Sequence, residues 1–198
     1  MFATETPDDV RVFCTRARRL DPGALVRLRP GGPGRAELWT LLPFTVLANL
    51  TVPGTAEADA TVRADALVAW LDGGAEPGRA DQQWRGALPT DRGEVLEELP
   101  AADCRRIGEA AAATLKEARG KGVGDRRLRD ALLDQVVLHV EADGTRHEVP
   151  LRLMIGLLRM GFAGQDSATV RVRRSGSRLG LEGIAGAVWG PAPGLALR

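Results

Sequence analysis

Proline and glycine punctuate this chain, with 24 Gly and 12 Pro among 198 residues, and they divide it into short elements whose type follows from apolar spacing. Over residues 8–20, Val10, Phe13, Cys14, Ala17 and Leu20 recur at helical spacing, with Arg11, Arg16, Arg18 and Arg19 on the other side. Pro7 or Asp8 starts this helix and Asp21-Pro22-Gly23 stops it. Residues 24–29 alternate apolar positions with Arg27 and Arg29 and predict a strand. The Pro30–Gly34 turn returns it into a second strand over residues 36–42. Residues 44–52, apolar between Pro43 and Pro53, fit a buried strand or a short helix equally well. Residues 61–71 predict a helix with Ala64, Leu67, Val68 and Leu71 inward, ended by Gly73-Gly74.

Residues 72–81 are rich in Gly, Pro and charge and read as a linker between two lobes, 1–71 and 82–198. The second lobe reads as mostly helical. Pro100 suits the first position of a helix whose inward stripe is Ile107, Ala111, Leu115 and Ala118, closed by Gly120–Gly124. Another helix starts near Asp125 with Leu128, Leu132 and Leu133 inward. Val136–Val140 either continues it or forms a strand paired across Asp143-Gly144, a strong hairpin signal. Pro150 opens a further helix that Gly161 closes, and the chain end from Pro191 to Gly194 is loose. The expected fold class is therefore α+β: a β-containing N-terminal lobe and a mostly helical C-terminal lobe ending in a β-hairpin, in the manner of a winged helix.

Several classes are excluded by composition. No apolar run approaches the roughly 20 residues a membrane span needs. The acidic, polar start lacks the basic and apolar segments of a secretory signal. Two cysteines, Cys14 and Cys104, point to a reduced cytoplasmic setting and to buried apolar roles. The serines Ser167, Ser175 and Ser177 have no nucleophile-elbow context, and Glu94, Glu97 and Glu98 suit the start of a helix. His139 and His147 flank Asp143-Gly144 and face each other only across a three-residue loop. No catalytic residue, metal or cofactor is assigned, and the reading leans away from an enzyme.

Charge carries more information. The net value of +1 hides blocks of opposite sign. Residues 10–35 hold seven Arg against Asp21, residues 36–151 hold thirteen bases against twenty acids, and residues 152–198 hold seven Arg against Asp166 and Glu182. Residues 170–181 form a hairpin if Ser175-Gly176 is its turn. That register sets Arg173 opposite Arg178 and puts Val170, Val172, Leu179 and Leu181 on one face, with Arg171, Arg173 and Arg178 on the other. Like charges directly opposed destabilise a sheet by about 0.2–1 kcal/mol, so the face calls for an anion. Arg171, Arg173, Arg174 and Arg178, with Arg152 and Arg159 on the preceding helix, are the candidate contacts to nucleic-acid phosphates. Such contact would be nonspecific, because the helix over 150–160 offers only two arginines among apolar residues and the chain has no Tyr to stack on bases. The alternative use of that apolar helix, residues 151–160, is a protein–protein interface, most simply a homo-oligomer. A small-molecule enzyme ranks third.

Five short stretches add a family likeness: Leu41–Leu47, Trp84–Pro89, Leu99–Ala102, Val149–Arg152 and Met160–Phe162. Together they resemble a group of uncharacterised proteins from high-GC Gram-positive bacteria. The resemblance implies a bacterial cytoplasmic protein and transfers no activity and no site residues.

Overall fold

A computed structural model describes residues 2–119 and 130–191. The Gly120–Gly124 break, the helix start near Asp125 with Leu128, the side chains of Leu115 and Ala118, and the chain beyond Pro191 lie outside the described residues. The chain divides into two units, Met1–Leu88 and Pro89–Arg198.

In the first unit, strand β1 (Phe2–Thr4) leads into helix α1 (Pro7–Leu20), followed by β2 (Leu25–Pro30), β3 (Arg35–Leu41) and β4 (Leu47–Ala56). Strand β5 (Ala60–Arg63) then runs into α2 (Ala64–Leu71). The sheet order is β5-β2-β3-β4, and β1 pairs antiparallel with Gly54–Ala56, the end of β4 that extends past β3. The period-2 alternation of β2 and β3 builds one apolar face: Val26 lies beside Val62, and Leu28, Leu38 and Leu50 are successive neighbours across three strands. Val10, Phe13, Cys14 and Ala17 of α1 are buried, as their helical spacing requires. The apolar 44–52 run is strand, not helix, and Thr61–Arg63, expected in a helix, is β5. Gly54 lets β1 come close, since a Cβ there would lie 2.1 Å from the Ala3 carbonyl oxygen. Residues 72–81 lie inside this unit. The Ala80 N–H donates to the Thr61 carbonyl at 2.7 Å, and Arg79 bridges Val62 along the outer side of β5.

The second unit corrects the expected architecture. Among the described residues it is not a helical lobe with a terminal wing, but an antiparallel sheet and a separate hairpin with few helices. Its elements are β6 (Glu94–Pro100), α3 (Ala101–Arg119), β7 (Val136–Ala142), β8 (Thr145–Pro150), α4 (Leu151–Arg159), β9 (Thr169–Ser175), β10 (Arg178–Gly183) and β11 (Gly186–Trp189). The sheet order is β11-β10-β9-β6, and β7-β8 pair by themselves. β6 escapes the sequence pattern because acids occupy both of its faces and only Leu96 and Leu99 are half-buried. β7 and β8 settle the 136–148 ambiguity as strand, with Asp143 and Gly144 both at positive φ in the turn. The core gathers Val140, Val149, Leu153, Met154, Leu157, Val170, Val172, Leu181 and Val188, with α4 packed on β10 and β11.

Among the described residues a strand passes three times into a helix with no intervening residue: Arg63 to Ala64, Pro100 to Ala101 and Pro150 to Leu151. Each time, the first helical N–H bonds the carbonyl of the residue just before the partner strand. Ala64 donates to Ala24 at 3.0 Å, Ala101 to Ala168 at 2.8 Å and Leu151 to Gln135 at 2.8 Å. The antiparallel ladder so satisfies one of the four N–H groups that a helix start leaves open. Pro100 and Pro150 therefore end strands instead of occupying the first helical position.

Candidate functional site

The arginines singled out in the sequence lie on β9 and β10, and the register there differs from the expected one. Ser175 pairs with Arg178, Arg173 with Gly180 and Arg171 with Glu182, so the loop is Gly176-Ser177. Each partner has moved by two residues, which keeps every side chain on its expected face. The move removes the opposed Arg173–Arg178 pair. Arg173 instead faces a glycine against which the Trp189 ring packs, and a Cβ at Gly180 would come within 2.6 Å of that ring.

The neighbouring strand decides the electrostatics. β6 runs antiparallel to β9, with Glu98 opposite Arg171 and Glu94 opposite Arg174. Arg171 Nε donates to Glu98 Oε1 at 2.8 Å, and this hydrogen bond raises the Arg171 pKa. Arg174 Nε donates to Glu94 Oε1 at 2.7 Å and a second guanidinium nitrogen joins it. Arg173 Nε donates to Glu182 Oε2 at 2.6 Å, while its Nη1 reaches the Gly93 carbonyl at 2.9 Å. Arg178 donates to the Gly190 carbonyl at 3.4 Å, and burial lowers its pKa. Arg152 pairs with Asp134, whereas Arg159 is exposed at the end of α4. Arg171 and Arg173 thus share one face of β9 while Arg174 takes the other, and each is neutralised by a carboxylate. Glu94 and Glu98, read as helix-start acids, are the counter-ions. Glu94 and Glu98 stand four residues apart and Arg171 and Arg174 three, so a β-bulge between Val95 and Glu97 is what brings both pairs into register, and no spacing in the sequence announced it.

Other expectations resolve locally. The two-residue β7–β8 loop sets His139 against Glu148 and Val140 against His147, so the histidines do not face each other. His147 Nε2 instead lies 3.5 Å from Arg174 Nη1. Burial pushes the Cys14 thiol up to about 12 and the Cys104 thiol up to about 11. The helix offered as an interface turns Leu151, Leu153, Met154 and Leu157 into its own unit.

Two features of the first unit were not singled out as sites. α1 presents Arg18 and Arg19 to solvent, and neither has a carboxylate at ion-pair distance among the described residues. A cleft of about 110 Å³ opens beside β5, floored by Phe2, Leu28, Val62 and Trp70 and rimmed by Glu76 and Arg79.

Residues 88–195 match the family model described as Domain of unknown function (DUF8185). The chain belongs to this family. Residues 2–90 of this DUF8185 protein match a second model, Domain of unknown function (DUF8010). No curated protein sequence matches the chain. Among solved structures, the DUF8185 protein is similar to the DNA polymerase III β subunit of Pseudomonas aeruginosa, at 10% identity and a TM-score of 0.62, covering 100% of this chain and 66% of that one. The β subunit from Thermotoga maritima matches at 13% identity and a TM-score of 0.55, covering 93% and 61%. The Helicobacter pylori β clamp bound to a DNA ligase peptide matches at 8% identity and a TM-score of 0.57, covering 96% and 66%. The DUF8185 protein spans about three-fifths to two-thirds of those chains' length. At these identities the likeness is one of fold: a sliding-clamp fold, built on antiparallel sheet, replaces the winged-helix expectation. No helix among the described residues is long and apolar enough to cross a membrane.

Proposed function

We propose that this chain is a non-catalytic binding protein of clamp fold that associates with DNA, and that it meets phosphates through α1 and not through the β9–β10 hairpin. The observation that carries this reading is the contrast between the two arginine sets. Arg171, Arg173 and Arg174 each hold a carboxylate, whereas Arg18 and Arg19 are exposed cations with none at ion-pair distance among the described residues, Asp65 acting on Arg18 only at longer range. An unpaired guanidinium is free to replace a counter-ion on a phosphate; a paired one must first give up its own partner. The fold neighbours, named as DNA polymerase sliding clamps, support a DNA-associated role, and a cytoplasmic setting goes with it.

The test is fluorescence anisotropy with a labelled 30-base-pair duplex across a salt series. The Arg18→Ala/Arg19→Ala variant should bind severalfold more weakly, with its salt slope reduced by about 0.9 for each phosphate no longer neutralised. Arg171→Ala/Arg174→Ala should bind as the parent does. Absence of binding at low salt, or weakening confined to the hairpin variant, overturns the reading. Self-association is part of the same proposal through a surface other than α4, and sedimentation velocity over a hundredfold concentration range reads it out.

A further inference from the structure

Among the described residues the β7–β8 hairpin pairs only with itself, so no strand ladder ties it to the sheet of its unit. Its register gives it two unlike faces. Leu138, Val140, Ala142, Thr145, His147 and Val149 share one; His139, Glu141, Arg146 and Glu148 share the other. Val140 and Val149, 1% and 0% exposed, are the buried residues of the hairpin, so the first face is the one turned into the unit. His147 is half-buried on that inner face. It meets there the guanidinium of Arg174, which β9 carries on the same face as the buried Val170 and Val172. Arg174 Nη1 stands 3.5 Å from His147 Nε2, while its Nε and Nη2 donate to Glu94 Oε1. Glu94, Arg174 and His147 therefore form one row across β6, β9 and β8.

The other charged groups nearby are occupied or turned away. Glu97 shares the Glu94 face of β6, and one of its carboxylate oxygens accepts the Glu98 N–H at 3.2 Å. Arg152, at the start of α4, is held by Asp134. His139, Glu141, Arg146 and Glu148 lie on the outer face, and Asp143 lies in the exposed turn. No carboxylate is at ion-pair distance from His147 among the described residues. A neutral imidazole protonated on Nδ1 keeps a lone pair on Nε2 and accepts the Arg174 N–H; an imidazolium has no lone pair to offer. Proton uptake would then set two cations face to face, with the one carboxylate of the row already engaged by Arg174. Histidine is the side chain that changes charge between pH 5 and 8. His139 responds in the opposite sense, because its Nε2 lies 3.9 Å from Glu148 and a proton there completes an ion pair. We infer that the His147–Arg174 contact is a proton-sensitive latch: neutral His147 holds the hairpin against β9, and proton uptake loosens it. An element with two buried residues and no ladder to its neighbours is one that opens by itself, without unfolding the unit. The latch is independent of the DNA reading, since it shares no residue with the exposed face of α1.

The experiment is native-state amide hydrogen exchange on the full chain at about pH 7.5 and about pH 5.5, corrected for the intrinsic rate at each pH. Protection over residues 138–149 should fall about tenfold at the lower pH, while β9 and β10 keep theirs. His147→Gln presents a neutral acceptor at every pH and should hold the hairpin equally at both. His147→Lys carries a fixed charge and should show the loosened hairpin already at the higher pH. Arg174→Gln removes the cation, so its hairpin should no longer respond to pH, and His139→Gln should respond as the parent does. Unchanged protection in the parent overturns the latch. So does an equal fall in His147→Gln, or a fall spread evenly over β9–β11, which would be acid destabilisation of the whole unit. Exchange is read without DNA, and the Arg18→Ala/Arg19→Ala variant should keep the pH response, so the two proposals fail separately.

Discussion

Arg173 and Glu182 lie diagonally across β9 and β10, Nε to Oε2 at 2.6 Å, with side chains 18% and 28% exposed. Arg173 is opposite Gly180 and Glu182 opposite Arg171, so the pair crosses two residues along the ladder, one step on the same face. Partial burial makes this the ion pair of the arginine strand whose removal is most felt, because the remaining charge is left without its partner. Glu182→Gln should destabilise the second unit by about 1–3 kcal/mol in urea unfolding. An unchanged midpoint would show the guanidinium to be held by the Gly93 carbonyl alone.

Gly180 is required by packing. A Cβ there would sit 2.6 Å from Trp189 Cε3 and 2.8 Å from the Val188 carbonyl oxygen, and backbone cannot yield as a flexible side chain does. Gly180→Ala should cost about 1–3 kcal/mol and change the fluorescence of Trp189. A variant as stable as the parent would place the ring elsewhere.

Asp81 accepts the Thr61 N–H at 2.6 Å and the Arg79 guanidinium at 2.7 Å, and these hydrogen bonds, the backbone one foremost, hold its carboxyl below the ordinary range. Asp65 is lowered by Arg63 in the same way. A carboxyl whose folded pKa is depressed contributes stability above the unfolded value of about 3.9 and loses it as pH falls through the folded value. Tm of the first unit should therefore be flat between pH 7 and about 5 and fall below about pH 4. Asp81→Asn should lower Tm at neutral pH and shrink the acid-side fall; an unaltered pH profile in that variant would remove Asp81 from the account.

Leu157 is fully buried on α4. If this helix were a subunit interface, Leu157→Asp would yield a folded monomer. Packed as it is on β10 and β11, the same substitution should unfold the second unit, and Leu157→Ala should cost about 2–5 kcal/mol. Circular dichroism with sedimentation separates a folded monomer from an unfolded chain.

Elements whose stability is local were legible without coordinates. The amphipathic spacing of Val10, Phe13, Cys14 and Ala17 marks α1 because one helix carries its own period. The alternation around Arg27 and Arg29 marks β2, and Asp143-Gly144 marks the β7–β8 turn because positive φ has few residues to serve it. Elements that depend on a distant partner were not legible. Glu94–Pro100 lacks apolar alternation and is a strand because β9, more than seventy residues on, supplies the ladder, and its Arg171 and Arg174 supply the opposite charge.

The candidate site divides along the same line. The sequence by itself determined that arginines gather at 171–178 and which face of the hairpin each takes, since a side-chain period of two follows from the covalent chain. Only the tertiary structure decided whether those charges are free, because a shift of two residues in register and the acidic strand laid beside them are set by packing between remote segments. The cleft beside β5 is of the second kind as well. It exists because the pairing of β1 with the end of β4 brings Phe2 to Val62 and Trp70, about sixty residues on, and no local pattern encodes that pairing.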